Sequence, residues 1–194
     1  MKKIILLFIS TLLIFTLVAC SSKETPKEVV EKGISAIKNL DLIQIQKYFN
    51  ADEISDENDV FGQDFDVENA EIFALMTKNL TYEIINVNTN DKVATVETKI
   101  TNINMAVIMK DFITQALILA FEQIGETEVD EEEMQKQMED LLIELLSKED
   151  NEMITTEVDI ELNEVDGEWK IDLNDELINA LFGGLTSVVD EIQD

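Results

Sequence analysis

The sequence predicts an α+β domain in which N-terminal helices pack on a curved antiparallel sheet. A helix-start signal at Thr25-Pro26 comes first along the chain. β-Forming residues over 81–101 and alternating apolar and polar residues over 153–173 then predict two β-hairpins, and a helical pattern over 105–148 lies between them. Helices followed by hairpins that flank an inserted helical pair are typical of the α+β class, because strands and helices do not alternate regularly.

The composition excludes several classes of chemistry. The 194 residues include 42 Asp and Glu against 14 Lys, with no Arg and no His, which gives a net charge of −28. Without His there is no imidazole base and no imidazole metal ligand, so we expect no catalytic triad. No other pattern in the sequence indicates a cofactor or a specific metal site, and we expect neither. The negative charge and the absence of Arg disfavour nucleic acid as a partner.

The N-terminus carries the most specific motif. Lys2 and Lys3 precede an apolar stretch over 4–18, and the small residue Ala19 precedes Cys20, the single cysteine of the chain. A lone cysteine forms no internal disulfide, and no neighbouring base would activate it as a catalytic thiol. The segment resembles a bacterial lipoprotein signal peptide, with Leu17-Val18-Ala19-Cys20 as its lipobox.

This resemblance implies that a diacylglyceryl group is attached to the Cys20 thiol and that residues 1–19 are removed. The protein would then be lipid-anchored at the extracytoplasmic face of the cell membrane. Two alternatives are an uncleaved membrane helix and an ordinary secretory signal that is cut elsewhere. The apolar stretch is shorter than the roughly 20 residues of a spanning helix, which disfavours the first alternative.

Residues 20–24 form the predicted lipidated tether, and a single domain follows over 25–194. Thr25 is placed to cap a helix, Pro26 occupies its first turn, and Glu28 completes a capping box. About five extended residues reach only ~17 Å. We therefore expect the domain to lie close to the bilayer.

A second helix is predicted over 42–49, and an acidic, irregular segment follows it. Counted from Asp56, this segment offers Asn58 as the third calcium-loop residue, but Val60 and Phe61 occupy the fifth and sixth positions, and Gly62 comes one place late. We therefore interpret it as a solvated loop, with weak divalent-ion binding as the alternative. A third helix, capped by Asp66 or Asn69, is predicted to run through Leu80.

The first hairpin is predicted from its β-forming residues and its turn, and the second from its alternation and its turn. The first turns at an Asn-Asp pair near residue 90, and the second turns at Asp166-Gly167. One face of the second hairpin is apolar and the other is charged, as in a sheet that is covered on one side. A final helix over 174–182 ends at Gly183-Gly184, and an apolar pattern after it could continue as another short helix.

The inserted helical pair has two distinct patterns. Residues 105–124 are apolar nearly all round, which predicts a helix sandwiched between partners, and Gly125 ends it. The second helix is amphipathic, and we expect its Met134 and Met138 to fill the core. The alternative is that these two methionines line a peptide-binding groove.

The segments PKEVVEKGISAIKNLDLIQIQKYF, VDGEWKID and ELINALFGGL, together with the lipobox, carry a family resemblance. The chain resembles lipoproteins of Gram-positive bacteria with a nuclear transport factor 2-like (cystatin-like) fold, most of which are domains of unknown function. The resemblance implies a sheet covered by helices, often with a pocket between them. The insert over 105–148 is larger than the simplest members of that fold carry.

These observations favour a non-enzymatic surface lipoprotein that binds a small ligand or an envelope protein. One alternative is an envelope hydrolase or isomerase that uses a pocket carboxylate or one of the two tyrosines, Tyr48 and Tyr82. Another alternative is an acidic surface protein that collects divalent cations. Fold alone does not decide between them.

Overall fold

The computed structural model describes residues 23–50, 67–122 and 131–185. Six helices and four strands lie in these ranges. They are α1 (Pro26–Lys38), α2 (Leu42–Tyr48), α3 (Val67–Thr77), β1 (Thr81–Asn90), β2 (Val93–Ile103), α4 (Met105–Glu122), α5 (Glu131–Ser147), β3 (Met153–Val165), β4 (Glu168–Ile171) and α6 (Asp175–Leu181). The order confirms the α+β class and the helical insert between the two hairpins.

The start of α1 has the predicted capping box. The Glu28 N–H donates to Thr25 Oγ1 at 3.3 Å, and the Thr25 N–H donates to Glu28 Oε2 at 2.8 Å. Val30, Ile34 and Ile37 form the buried stripe of this helix. These reciprocal bonds satisfy backbone donors that a helix N-terminus otherwise leaves without partners.

The four strands form one antiparallel sheet in the order β1-β2-β3-β4. The β2–β3 ladder runs without a break from Val93 opposite Asn163 to Ile103 opposite Met153. The predicted turns are confirmed, since Asp91 and Asp166-Gly167 have the positive φ angles that tight hairpin turns require.

Alternate residues of β2 and β3 face the helices and form the main core. These buried residues are Ala94, Val96, Thr98, Ile100, Val158, Ile160 and Leu162. The alternating positions carry polar and charged side chains such as Glu97, Asp159 and Glu161. This pattern confirms a sheet with one covered face, while its curvature and the nuclear transport factor 2-like assignment stay predictions.

A second core cluster joins the insert to the end of the sheet. It contains Ile103 of β2, Met105 and Ile108 of α4, and buried leucines of α5. Farther along α4 the side chains of Leu117, Ile118 and Phe121 remain exposed. The prediction that this helix is sandwiched is therefore wrong for its C-terminal half, because α4 packs there principally on α5. No helix within the described ranges is both long and apolar enough to cross a membrane.

Candidate functional site

Several predicted functional residues lie outside the described ranges. They include Cys20 with its lipobox, the acidic segment with its calcium-loop alternative, the Asp66 cap, and the pattern that could continue after residue 185. The first described residue is Lys23, three positions after Cys20. The position of Lys23 therefore indicates where the tether joins the domain.

The chain enters the domain beside the turn between β3 and β4. Lys23 Nζ lies 3.5 Å from a carboxylate oxygen of Glu164 at the end of β3. A Cβ atom added at Gly167 would lie 3.3 Å from the same ammonium group. Lys23, near the end of the tether, is thus next to the end of the sheet at which Val93 pairs with Asn163.

Glu24 anchors this entry point to α1 and α2. Its carboxylate accepts a hydrogen bond from Lys32 Nζ at 2.5 Å and one from the Tyr48 hydroxyl at 3.3 Å. Lys47 Nζ donates to that hydroxyl at 3.0 Å and lies 4.5 Å from the centre of the Tyr48 ring. The hydrogen bond from Lys32, with the nearby charge of Lys47, lowers the pKa of Glu24. Glu24 is therefore ionised at neutral pH and stabilises the entry point through these contacts. That stabilisation is lost as the pH falls through the lowered pKa, because the carboxylate is then protonated.

The two tyrosines do not share a site. Tyr48 is buried and its hydroxyl belongs to the Glu24 network, whereas Tyr82 lies on the edge strand β1, where partial burial raises its pKa. A shallow polar cleft of about 290 Å³ lies beside Tyr48, lined by Lys32, Asn39 and Gln44 among others. The described residues that line the cleft form no arrangement that indicates a particular ligand.

The interior offers little polar chemistry among the described residues. The buried polar side chains there are Thr77, Thr98 and Asn102. No Asp or Glu whose burial the structure describes is buried, and no group of three or more potential metal ligands comes together among the described residues. The pocket carboxylate that the hydrolase or isomerase alternative requires is thus not found in this part of the chain.

The candidate site is instead a groove between α4 and α5, with a volume of about 440 Å³. Its apolar lining is formed by Ile118 and Leu119 of α4 and Leu141 of α5. The polar lining consists of Gln115, Gln137, Asp140 and Glu144. We call these seven residues the insert groove.

An exposed apolar stripe on α4 continues the groove. Ile113, Leu117 and Phe121 recur at intervals of four residues, and Ile118, which also lines the groove, is adjacent to this row. The side chains of Leu117, Ile118 and Phe121 are 54 %, 53 % and 68 % exposed. These four residues are called the α4 stripe. The α4 stripe was not predicted from the sequence. The signal for it was the pattern of 105–124, in which apolar residues occur on every side of the helix.

The rim of the groove on the α5 side is acidic. This helix contains Glu139, Asp140 and Glu144, together with an acidic N-terminal turn, against the single Lys136. Asp140 and Glu144 make no ion pair within the part of the chain that the structure describes. Met134 and Met138 are half-buried on the same helix, so the core-filling interpretation is met only in part.

Comparison with known proteins adds little. No family model matches the sequence, and no curated protein matches it. Among solved structures, that of YcdA, a proposed lipoprotein from Bacillus subtilis, is similar with 15 % sequence identity and a TM-score of 0.44. The match covers 81 % of this chain and 47 % of that one, so the chain spans about half the length of the relative. A likeness this weak transfers neither a fold family nor a function.

Proposed function

We propose that this protein is a lipid-anchored, extracytoplasmic binding module that holds a partner protein on the α4 stripe and the insert groove. The observation that carries the proposal is the exposure of Leu117, Ile118 and Phe121 on successive turns of one helix. Contiguous apolar surface of this kind, rimmed by polar residues, is typical of protein-interaction sites. Aromatic side chains such as that of Phe121 are also enriched at such interfaces.

A comparison with other exposed apolar residues supports this interpretation. Ile43 of α2 is 78 % exposed, more than any residue of the α4 stripe, but the only other large apolar side chain exposed near it in α2 is Leu42. Scattered apolar residues are common on protein surfaces and need no explanation. The α4 stripe differs because its members are neighbours and border a concave groove.

The topology supports presentation of this surface away from the anchor. The β2–β3 ladder extends over ten residue steps from the Val93 end to the Ile103 end, or about 34 Å. Lys23 lies at the first end, while α4 begins at Met105, beyond the second. A lipid on Cys20 would thus hold the domain by the end opposite to the start of the insert.

The test is photocrosslinking in cells at positions within and outside the stripe. We expect a photoreactive amino acid at Leu117 to form an adduct with another protein, which mass spectrometry identifies from its peptides. The companion substitution Ile118→Asn should reduce that adduct about tenfold, since it removes an apolar contact and buries an amide group without a hydrogen-bond partner, which costs about 1–3 kcal/mol. Placed at Ile43, the same photoreactive group serves as the matched control and should give no such adduct. Equal labelling from both positions would contradict the proposal.

The anchor has a separate test. We expect Cys20→Ser to move the protein from the detergent phase to the aqueous phase and to release it into the medium, because the thiol that would carry the lipid is lost. Ser21→Ala is the matched control and should leave the partition unchanged. If the Cys20→Ser protein stayed in the detergent phase, an uncleaved membrane helix would explain the attachment better than a lipid.

A further inference from the structure

We infer that the insert groove binds a basic amphipathic helix of another protein. This inference rests on the proposed function and adds the chemistry of the partner. The apolar face of that helix would lie on Ile118, Leu119 and Leu141, and its Lys or Arg residues would meet Asp140 and Glu144. Helix-in-groove recognition of this kind uses apolar anchors at positions i, i+3 or i+4, and i+7.

The dimensions of the groove fit this spacing. Its lining on α5 extends from Gln137 to Glu144, which is seven residue steps or about 10 Å of helix. The α4 stripe from Ile113 to Phe121 extends over about 12 Å. A partner helix places its i and i+7 anchors about 10 Å apart, so three of its apolar side chains match the length of the groove.

The charges of the rim select a basic partner. Asp140 and Glu144 are one helical turn apart on the groove side of α5, and they have no ion pair among the described residues. Like charges at this spacing destabilise a helix by a few tenths of a kcal/mol. Cationic side chains of a partner would remove that repulsion, whereas an acidic helix would add to it.

The same charges disfavour the other occupants of an apolar surface. A second copy of this chain would bring two molecules of net charge −28 together with their acidic rims in contact. An anionic bilayer would repel the rim in the same way. The tether enters at the opposite end of the sheet from the start of α4, which further disfavours contact of the groove with the membrane.

The experiment compares synthetic amphipathic helices with one apolar face and different charges. The full lipidated protein is placed in nanodiscs of phosphatidylcholine, and the fluorescence anisotropy of three labelled peptides is measured against empty nanodiscs. One peptide has Leu at its apolar positions and Lys elsewhere, the second has Glu in place of Lys, and the third is a scramble of the first. We expect the Leu/Lys helix to bind at least about tenfold more tightly than the other two peptides. Only this peptide has both an apolar face for the lining of the groove and positive charges for its acidic rim.

Variants of the protein locate the effect. Asp140→Asn with Glu144→Gln should weaken binding of the Leu/Lys helix about fivefold or more, and binding should weaken further with added salt. Asp159→Asn with Glu161→Gln removes the same charge from the outer face of the sheet and should change the affinity less than about twofold, because that face lies outside the groove. Equal effects of the two double variants, or equal binding of the Glu helix, would overturn the inference.

Failure of this inference is distinguishable from failure of the proposed function. If the Leu117 adduct forms with another protein but the charge of the peptide has no effect, the partner is not a basic helix and the binding function stands. An adduct of Leu117 with a second copy, with another segment of the same chain, or with lipid in nanodiscs that contain phosphatidylglycerol would overturn both. Sedimentation of the purified protein identifies the second-copy outcome independently.

Discussion

Replacing Gly183 with Ala should lower the free energy of unfolding by about 2–5 kcal/mol, the sum of backbone strain and steric overlap. Gly183 follows the end of α6 with a φ of +58°, in the left-handed region that disfavours other residues. A Cβ atom at this position would lie 1.8 Å from the carbonyl oxygen of Ile103. Because that oxygen belongs to the backbone of β2, no side-chain rotation relieves the overlap.

Gly184 supplies the matched control for this prediction. Its φ is +87°, but a Cβ atom there would meet no other atom within 4 Å. Gly184→Ala should therefore lower the free energy of unfolding only by the backbone strain, about 1–2 kcal/mol. Urea denaturation, with an unchanged m-value, measures the free energy of unfolding of both variants. Equal losses for the two would show that the approach of Gly183 to Ile103 does not constrain this junction.

The stop after α6 was predictable because its cause is local. The Gly184 N–H donates to the Asn179 carbonyl at 2.8 Å, and the Gly183 N–H donates to the Ala180 carbonyl at 3.4 Å, which together form a Schellman motif. The Thr25 capping box and the Asp166-Gly167 turn were predictable for the same reason. In each case residues a few positions apart in the sequence determine the backbone conformation.

The insert groove was not predictable in this way. The residues of α4 are apolar on every side, and this pattern indicates neighbours without indicating where along the helix those neighbours end. Ile108 is buried at the junction of α4 with β2, whereas Leu117, farther along, is half exposed. The difference depends on how far the insert extends beyond the sheet, which is a tertiary property. The sequence offers Met134 and Met138 of α5 as a possible peptide groove, but the structure places the exposed apolar surface mainly on the facing helix α4.

Asn102 should be the second position with a large effect on stability. It is fully buried, and its amide group donates to the carbonyls of Met76 at 2.9 Å and Leu181 at 2.7 Å. Its side-chain oxygen accepts from the Ile103 N–H at 2.8 Å. The two carbonyls lie at the C-terminal ends of α3 and α6, where a helix leaves carbonyls without internal partners. One side chain thus joins both helices to the end of β2 from which α4 begins.

We expect Asn102→Leu, a substitution of similar volume, to lower the free energy of unfolding by about 3–5 kcal/mol, because it leaves three backbone groups unsatisfied at about 1–3 kcal/mol each, with partial relaxation. Asn88→Leu on the exposed edge strand is the control and should change stability by less than about 0.5 kcal/mol.

The variant Asn102→Asp distinguishes loss of the hydrogen-bond donors from loss of packing. Its side chain has nearly the same shape as that of Asn, but an ionised carboxylate would face the two carbonyls in place of the amide donors. Its deficit relative to the wild type should shrink as the pH falls, because protonation restores one donor. A deficit that does not change with pH would attribute the effect to packing and would contradict the hydrogen-bonding role of Asn102.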